Sequence, residues 1–326
     1  MSWTLPDPML AVAVPDPLLP PGWAAEPKWD GYRALLARYA DGRVVLRSRR
    51  GTLMTAAFPE IVSAAAVLPG DIALDGELVV WEDGRLAFER LQGRLNRTAA
   101  AATRNAMAWP AHFVAFDLLR QGEDLTSQPY TVRRAALERL FADHALGPAF
   151  ALCPSTTDPQ QATEWLSWSA VGMEGLCFKR LDERYRPGQR TWRKYRARHS
   201  TEAVIGAVSG SPTSPATVLL GRLDPAGRLQ FIGRSTVLSR PAARALAAQL
   251  RPPSGPHPWE GWSFSAGWGS REKLAVRLVD PLLVAEVAAD VSLDVAGRWR
   301  HPVRLLRIRD DLLPAEVPLY GGGAPA

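Results

Sequence analysis

The sequence is short of cysteine, of lysine relative to arginine, and of long apolar runs, and each shortage removes a class of protein. Only two cysteines occur in 326 residues, Cys153 and Cys177. They form no C-x-x-C pair, and neither lies near a histidine pair at ligand spacing, which excludes a zinc ribbon or finger. Two cysteines also build no disulfide framework, which fits a reducing cytoplasm. No stretch of about 18 apolar residues is present, so no membrane-spanning helix is expected. The opening MSWTLPDPML lacks a basic region followed by an apolar run, so it is not read as a secretory signal. No internal repeat is visible. What remains is a chain that is 47% hydrophobic and 22% charged, enough for a sizeable core and about two domains. A net charge of +6 favours an anionic partner, nucleic acid or nucleotide. The excess of arginine over lysine looks like coding bias and carries little weight alone.

The pattern along the chain is mixed α and β. Residues 1–25 read as an extended, proline-rich arm. YRALLARY and RVVLRSR, joined by Ala40-Asp41-Gly42, read as a hairpin, and ALDGELVVWEDGRLAF as a second one turning at Asp83-Gly84. PEIVSAAAVL, FERLQGRLN and TVRRAALERLFAD have helical spacing; HFVAFDLL, EGLCFKR and WRKYR read as strands. After Arg198 the texture changes to short strands broken by Gly, Ser and Pro, with one helix at PAARALAAQL, the pattern of a small β-barrel. The expected division is 1–198, 199–318 and a flexible tail at 319–326.

Chemistry enters with EPKWDGYR. A lysine is protonated at neutral pH and becomes a nucleophile only when burial or neighbouring cations strip its proton. Taken alone, Lys28 before an Asp-Gly turn is far more often a surface lysine. Its companions change that balance. Ser48-Arg49-Arg50-Gly51 ends a hairpin strand, Asp75-Gly76-Glu77 opens the next, Phe116-Asp117-Leu118 closes another, Glu174 and Lys179 share one strand, and Lys194 and Arg196 lie on the next. Each has a bland structural explanation singly. Six in one fixed order do not.

This ordered set resembles the nucleotidyltransferase motifs of the ATP-dependent DNA ligases and their relatives, the mRNA capping enzymes. K-x-D-G-x-R runs from Lys28 to Arg33, S-R-x-G from Ser48 to Gly51, D-G-E from Asp75 to Glu77, F-D-L from Phe116, and E-G-x-x-x-K from Glu174 to Lys179. The usual K-x-K is Lys194-Tyr195-Arg196. The resemblance covers roughly residues 8 to 313 and is most like the short, two-domain C-type ligases of actinobacteria. It implies an α+β fold: a nucleotidyltransferase domain of antiparallel sheets with helices (ATP-grasp-like), followed by an OB-fold β-barrel. It implies nick sealing through lysyl-AMP and DNA-adenylate, with ATP and Mg²⁺ or Mn²⁺ as cofactors and Lys28 as nucleophile.

By the same resemblance, Lys179 and Lys194 contact the α-phosphate and Arg33 and Arg49 hold ribose and phosphate. Phe116 stacks on adenine, Glu26 lies beside the base, and Glu77 and Glu174 serve the metal, which would also depress the pKa of a nearby Lys28. Arg196 completes the basic set. In the terminal motif R-x-D-K, Arg309-Asp310-Asp311 is followed by Leu312, so the lysine is missing, and Arg304, Arg307 or Arg309 is left to compensate. GWSFSAGWGSREK sets aromatics beside Arg271 and Lys273, a pattern compatible with a nucleic-acid face. The expected partner is nicked double-stranded DNA, with repair or end-binding proteins as further candidates, for a cytoplasmic, nucleoid-associated monomer. The alternatives are an RNA ligase, a GTP-using capping-type enzyme, or an inactive nick-binding module. An NAD-dependent ligase is disfavoured because two cysteines cannot supply its zinc module. One register question stays open: with Asp41-Gly42 as a two-residue turn, Arg33 pairs with Arg50, whereas a loop one residue longer brings Arg49 to the face of Arg33.

Overall fold

The computed structural model describes residues 3–95, 98–144, 146–265, 272–290, 293–294 and 296–321. It comprises two units, Met1–Ala197 and Arg198–Ala326. Arg271 and residues 322–326 of the tail lie outside the described residues.

The first unit carries, in chain order, β1 (Leu10–Ala13), β2 (Trp23–Trp29), β3 (Tyr32–Arg38), β4 (Val44–Ser48), β5 (Ile72–Glu82), β6 (Arg85–Leu86), β7 (Ala111–Gln121), β8 (Glu123–Asp124), β9 (Phe150–Leu152), β10 (Met173–Arg180) and β11 (Arg190–Arg196). They form two sheets. One runs β1-β11-β10-β2; the other runs β4-β3-β5-β7-β8, with β6 beside β5 and β9 beside β7. Asp30-Gly31, between β2 and β3, is where the chain crosses from one sheet to the other.

Local chemistry explains the turns. Asp83 and Gly84 both have positive φ, 51° and 76°, the requirement of a two-residue type I′ hairpin. The β3–β4 hairpin instead has a three-residue loop, Ala40-Asp41-Gly42. It is closed by Tyr39 N–H to Arg43 O at 2.9 Å, with Gly42 at φ 83°. The register is therefore Ala34 opposite Ser48, which sets position 49 opposite Arg33 and settles the register question.

Helices α1 (Pro59–Ala64), α2 (Phe88–Gln92), α3 (Ala99–Ala108), α4 (Tyr130–His144) and α5 (Pro159–Trp165) complete the unit. The sequence reading missed α3 and α5, yet both carry signals. Thr98 caps α3 by accepting from Ala101 N–H, ahead of an alanine-rich run. Asp158 caps α5 with Pro159 at its first turn. A core of Leu36, Phe58, Ile61, Leu74, Phe113 and Leu137 fills the space between the larger sheet and its helices. A second core, with Leu5, Met9, Leu35, Ala73, Leu119, Tyr185 and Trp192, lies between the two sheets. The two β-layers thus face each other, and the smaller sheet is backed by Trp165 of α5 against Leu176 and Phe178.

The second unit holds β12 (Arg198–Ser211), β13 (Ser214–Leu223), β14 (Leu229–Arg234), α6 (Arg240–Ala247), β15 (Phe264–Ser265), β16 (Lys273–Leu274), β17 (Val276–Leu278), β18 (Val284–Asp290) and β19 (Arg304–Ile308). The sheet path is β14-β13-β12-β18-β19, with β17 added along β12. Its two edges meet at one parallel bridge, Ser235 to Val303. Among the described residues, the anticipated barrel is therefore joined at one point of its seam and is not closed along it. Leu246 and Leu250 pack into one core with Ile205, Val218 and Val287. A second cluster gathers around Trp259.

Candidate active site

Strand register assembles the site on one face of the smaller sheet. Directly opposed residues of neighbouring strands project to the same face. Lys28, Gly175 and Arg196 form one row across β2, β10 and β11, and Glu26, Cys177 and Lys194 form the next. Lys179 follows, opposite Ala24, with its ammonium 4.4 Å from the ring centroid of Trp192. Lys194 is tied further to β1, since Ala13 pairs with it and Val14 N–H donates to its carbonyl at 2.9 Å.

Lys28 is the penultimate residue of β2, and its ammonium is ion-paired with Glu174. The Lys28 side chain is 24% exposed and that of Glu174 only 6%. Glu174 reaches Lys28 because it is the extra residue of a β-bulge: Met173 pairs with Trp29 and Gly175 with Lys28, and Glu174 is inserted between these two ladder positions. Bulges re-aim a side chain in this way. Gly175 has φ 143°, and a Cβ there would stand 2.1 Å from the carbonyl oxygen of Tyr195. At Gly31 a Cβ would stand 2.3 Å from Leu78 O. Both glycines are thus required by close backbone approach.

The larger sheet supplies the facing groups. Glu77 pairs with Arg33 across β3 and β5. Burial pushes the Glu77 carboxyl up to about 8; Lys28 and Arg33 pull against this, while Glu174 and Asp30 reinforce it. Phe116 also sits on a bulge, because Asp75 pairs with Asp117 and Gly76 with Ala115. Its ring meets Trp192 edge-on at 6.0 Å. Burial lowers the Lys194 pKa, and the nearby charges of Arg196, Lys28 and Arg49 lower it further. Arg49 itself is exposed in the turn after β4, where Ser48 Oγ accepts from Arg50 and Thr52 N–H.

Three expected ligand contacts look different in the structure. Lys179, expected on a phosphate, is 1% exposed and bonds Glu26 Oε2 and the carbonyl of Phe116, each at 2.8 Å. Glu26, expected beside the base, is buried as well, and its other oxygen accepts from Tyr130 O–H at 2.6 Å. Arg33, expected on ribose or phosphate, grips Asp75 through Nε at 3.0 Å and Nη2 at 2.6 Å, and donates to Met9 O at 2.6 Å. Burial opposes the charge of Arg33, and the charge and hydrogen bonds of Asp75 more than offset it, holding its pKa above the ordinary value. The reason is shared: these residues point into the space between the sheets, where a charge needs a fixed partner.

Sequence reasoning gave no role to the partners. Asp75 also accepts from Tyr185 O–H at 2.7 Å, and Asp117 is held by Arg133 at 2.8 and 3.0 Å. Arg309 belongs to the second unit. There its guanidinium meets Asp311 at 2.7 and 2.8 Å, and Glu202 at 3.2 Å. Its side chain is paired with Asp311 first and Glu202 second, so no nitrogen of the pair-forming edge is left open.

Among the described residues no group of three or more His, Cys, Asp or Glu side chains is arranged to hold a metal. Glu77 and Glu174 are close enough to affect each other electrostatically. Two hard carboxylates fit Mg²⁺ in its usual protein role, where it leans on one or two carboxylates, on waters and on substrate phosphates.

Comparison with known proteins gives the family of the chain. Residues 8–196 match the family model of the ATP dependent DNA ligase domain. DNA ligase C2 of Mycolicibacterium smegmatis is 36% identical, over 93% of this chain and 90% of that protein. The multifunctional non-homologous end joining DNA repair protein LigD of Mycobacterium tuberculosis is 35% identical over 90% of this chain, which spans 37% of that longer protein. A solved mycobacterial DNA ligase D complexed with ATP and MES is similar at a TM-score of 0.52 and 30% identity, covering 96% of this chain and 97% of that one.

Proposed function

The chain belongs to the ATP-dependent DNA ligase family, and from that premise we propose that Lys28 is the nucleophile of an enzyme that seals nicks in double-stranded DNA, in a repair setting. The observation that carries this reading is the clustering around Lys28. Arg196, Lys28 and Arg49 are each close enough to Lys194 to lower its pKa. Cations that repel each other in the free protein are relieved by an anion with several charges, such as the triphosphate of ATP.

The reaction runs in three steps. Lys28 Nζ, having lost its proton, attacks the α-phosphorus of ATP; the N–P bond forms and pyrophosphate leaves. A 5′-phosphate oxygen of the nick then attacks the same phosphorus, freeing Lys28 and forming a DNA-adenylate. Last, the 3′-hydroxyl attacks the 5′-phosphate, gives up its proton, and AMP departs. Every step crowds negative charge on phosphorus, so positioning and fixed cations do most of the work. Lys194 and Arg196 stand in the rows next to and level with Lys28 and receive that charge. Arg49, exposed at its turn, meets the DNA or nucleotide phosphate. Phe116 offers its ring to adenine. Glu174 holds the Lys28 ammonium in place and must release it before attack. Glu77 and Glu174 would hold Mg²⁺, which would supply charge neutralisation at the phosphates.

The second unit, with a five-strand sheet path, β17 beside it and a parallel seam bridge, fits a partly open OB-fold. Its exposed Trp262 and Lys273 suit a nucleic-acid face. The end-joining name of the LigD relative makes end-binding repair proteins the partners to test first.

The decisive experiment incubates the protein with labelled ATP and Mg²⁺, in parallel with Lys28→Ala. The wild type is expected to carry label released by acid and the variant none. Label retained on Lys28→Ala would remove Lys28 from the chemistry.

A further inference from the structure

Lys179 donates to oxygens from both sheets. Glu26 Oε2, on β2, and Phe116 O, on β7, each accept at 2.8 Å, and Asp117 Oδ2 is 3.9 Å away. The remaining surroundings are aromatic, with ring centroids of Trp192 at 4.4 Å, Phe116 at 4.7 Å and Tyr130 at 5.1 Å. An ammonium has three donors. Two are taken by oxygen acceptors at 2.8 Å, and the third has Asp117 and ring faces around it. At 1% exposure, none is offered to an incoming phosphate.

The acceptor on β7 is informative. Phe116 is the extra residue of its bulge, with no partner in β5. A bulge leaves backbone groups outside the ladder, and buried ones need a substitute partner. Lys179 is that partner for the Phe116 carbonyl, so it fixes the bulge that aims the Phe116 ring. At its other end it holds Glu26, whose second oxygen is already bound by Tyr130. One side chain therefore ties the strand that leads to Lys28 to the residue expected to stack on the base.

Resting on the ligase reading above, we infer that Lys179 is a positioning residue for the base: it sets the gap between the two sheets at the adenine site, and discrimination among nucleobases runs through it. It acts through Glu26 and Phe116 and touches no reacting atom.

The test compares wild type and Lys179→Met in enzyme adenylation with ATP and with GTP, using protein checked for folding by circular dichroism. The KM for ATP is expected to rise roughly tenfold or more, as for an unsatisfied buried partner, while kcat at saturation stays within about threefold. The ratio of kcat/KM for ATP over GTP is expected to shrink, and Lys179→Arg to recover part of it. A fall in kcat for both nucleotides with the ATP preference intact would make Lys179 a phosphate ligand and overturn the inference. So would unchanged constants. If Lys179→Met fails to fold, Glu26→Gln combined with Lys179→Met removes both buried charges, and the same readouts decide. A wild type that takes no AMP from ATP sinks the ligase reading itself. A wild type that does, beside a variant with unaltered base preference, sinks only the role given to Lys179.

Discussion

Alanine at Gly175 tests whether the close approach of β10 to β11 builds the site. The added Cβ would lie 2.1 Å from Tyr195 O and 2.9 Å from Arg196 Cα. Ordinary contact between such atoms is about 3.5 Å, so the strands must part by about 1 Å. Overpacking of this kind costs about 1–3 kcal/mol. The backbone adds to it, since φ is 143° at this position. Holding a residue with a Cβ in such a region costs about 1–3 kcal/mol more. The sum, about 2–6 kcal/mol, lies near or below the usual stability of about 5–15 kcal/mol, so the variant folds but melts early. For a unit of this size the fall in Tm is about 5–20 °C. The same displacement moves Arg196 and Lys194 on one side and Glu174 on the other, and a misplacement of about 1 Å at a reacting centre costs about a hundredfold in rate. The assay pairs a thermal melt with single-turnover transfer of labelled AMP to the enzyme, at a temperature where both proteins are folded. A variant that melts and adenylates like the wild type would show that the contact constrains nothing.

Two further outcomes follow from the buried charges. Glu77 has a folded pKa raised to about 8 from 4.5, so its protonated form is the one the fold prefers. Its unfavourable contribution therefore grows as pH rises from about 4.5 to 8. Without nucleotide or metal, Tm of the wild type should decline across that window, and Glu77→Gln should flatten the decline; identical slopes would contradict the assignment. Arg33→Met strands the carboxylate of Asp75, which is fully buried, with the Tyr185 hydroxyl as its remaining side-chain donor. Breaking a buried pair by removing one partner costs about 3–5 kcal/mol, read by urea denaturation, and adding Asp75→Asn should recover much of it. A single variant as stable as wild type would deny the pair its anchoring role.

Much of the site was legible because spacing and register are sequence properties. Lys28 and Glu174 lie 146 residues apart and come together as a pair. The Asp83-Gly84 hairpin appeared where the dipeptide placed it. The family match and the mixed α+β fold also agree with the motif series. Burial of individual cations was not legible. Strand alternation tells which residues share a face, and it does not tell whether that face looks onto water or onto a second sheet. Arg33 and Lys179 therefore read as ligand contacts, although both are spent on internal carboxylates. The bulges at Phe116 and Glu174 were hidden for a related reason, since a register shift shows only when both strands are seen together. The arm before β2 read as extended chain, but nothing in its composition revealed that Leu10–Ala13 pairs in parallel with β11.

That arm has a practical consequence. Leu5 and Met9 are buried, Arg33 and Tyr185 bond the backbone of Met9, and Ala13 borders Lys194. A protease cut or an ill-chosen fusion tag ahead of residue 13 would therefore strip a margin from the strand that bears Lys194 while leaving Lys28 intact. Preparations that lose activity on storage should have their amino termini weighed before their nucleophile is blamed.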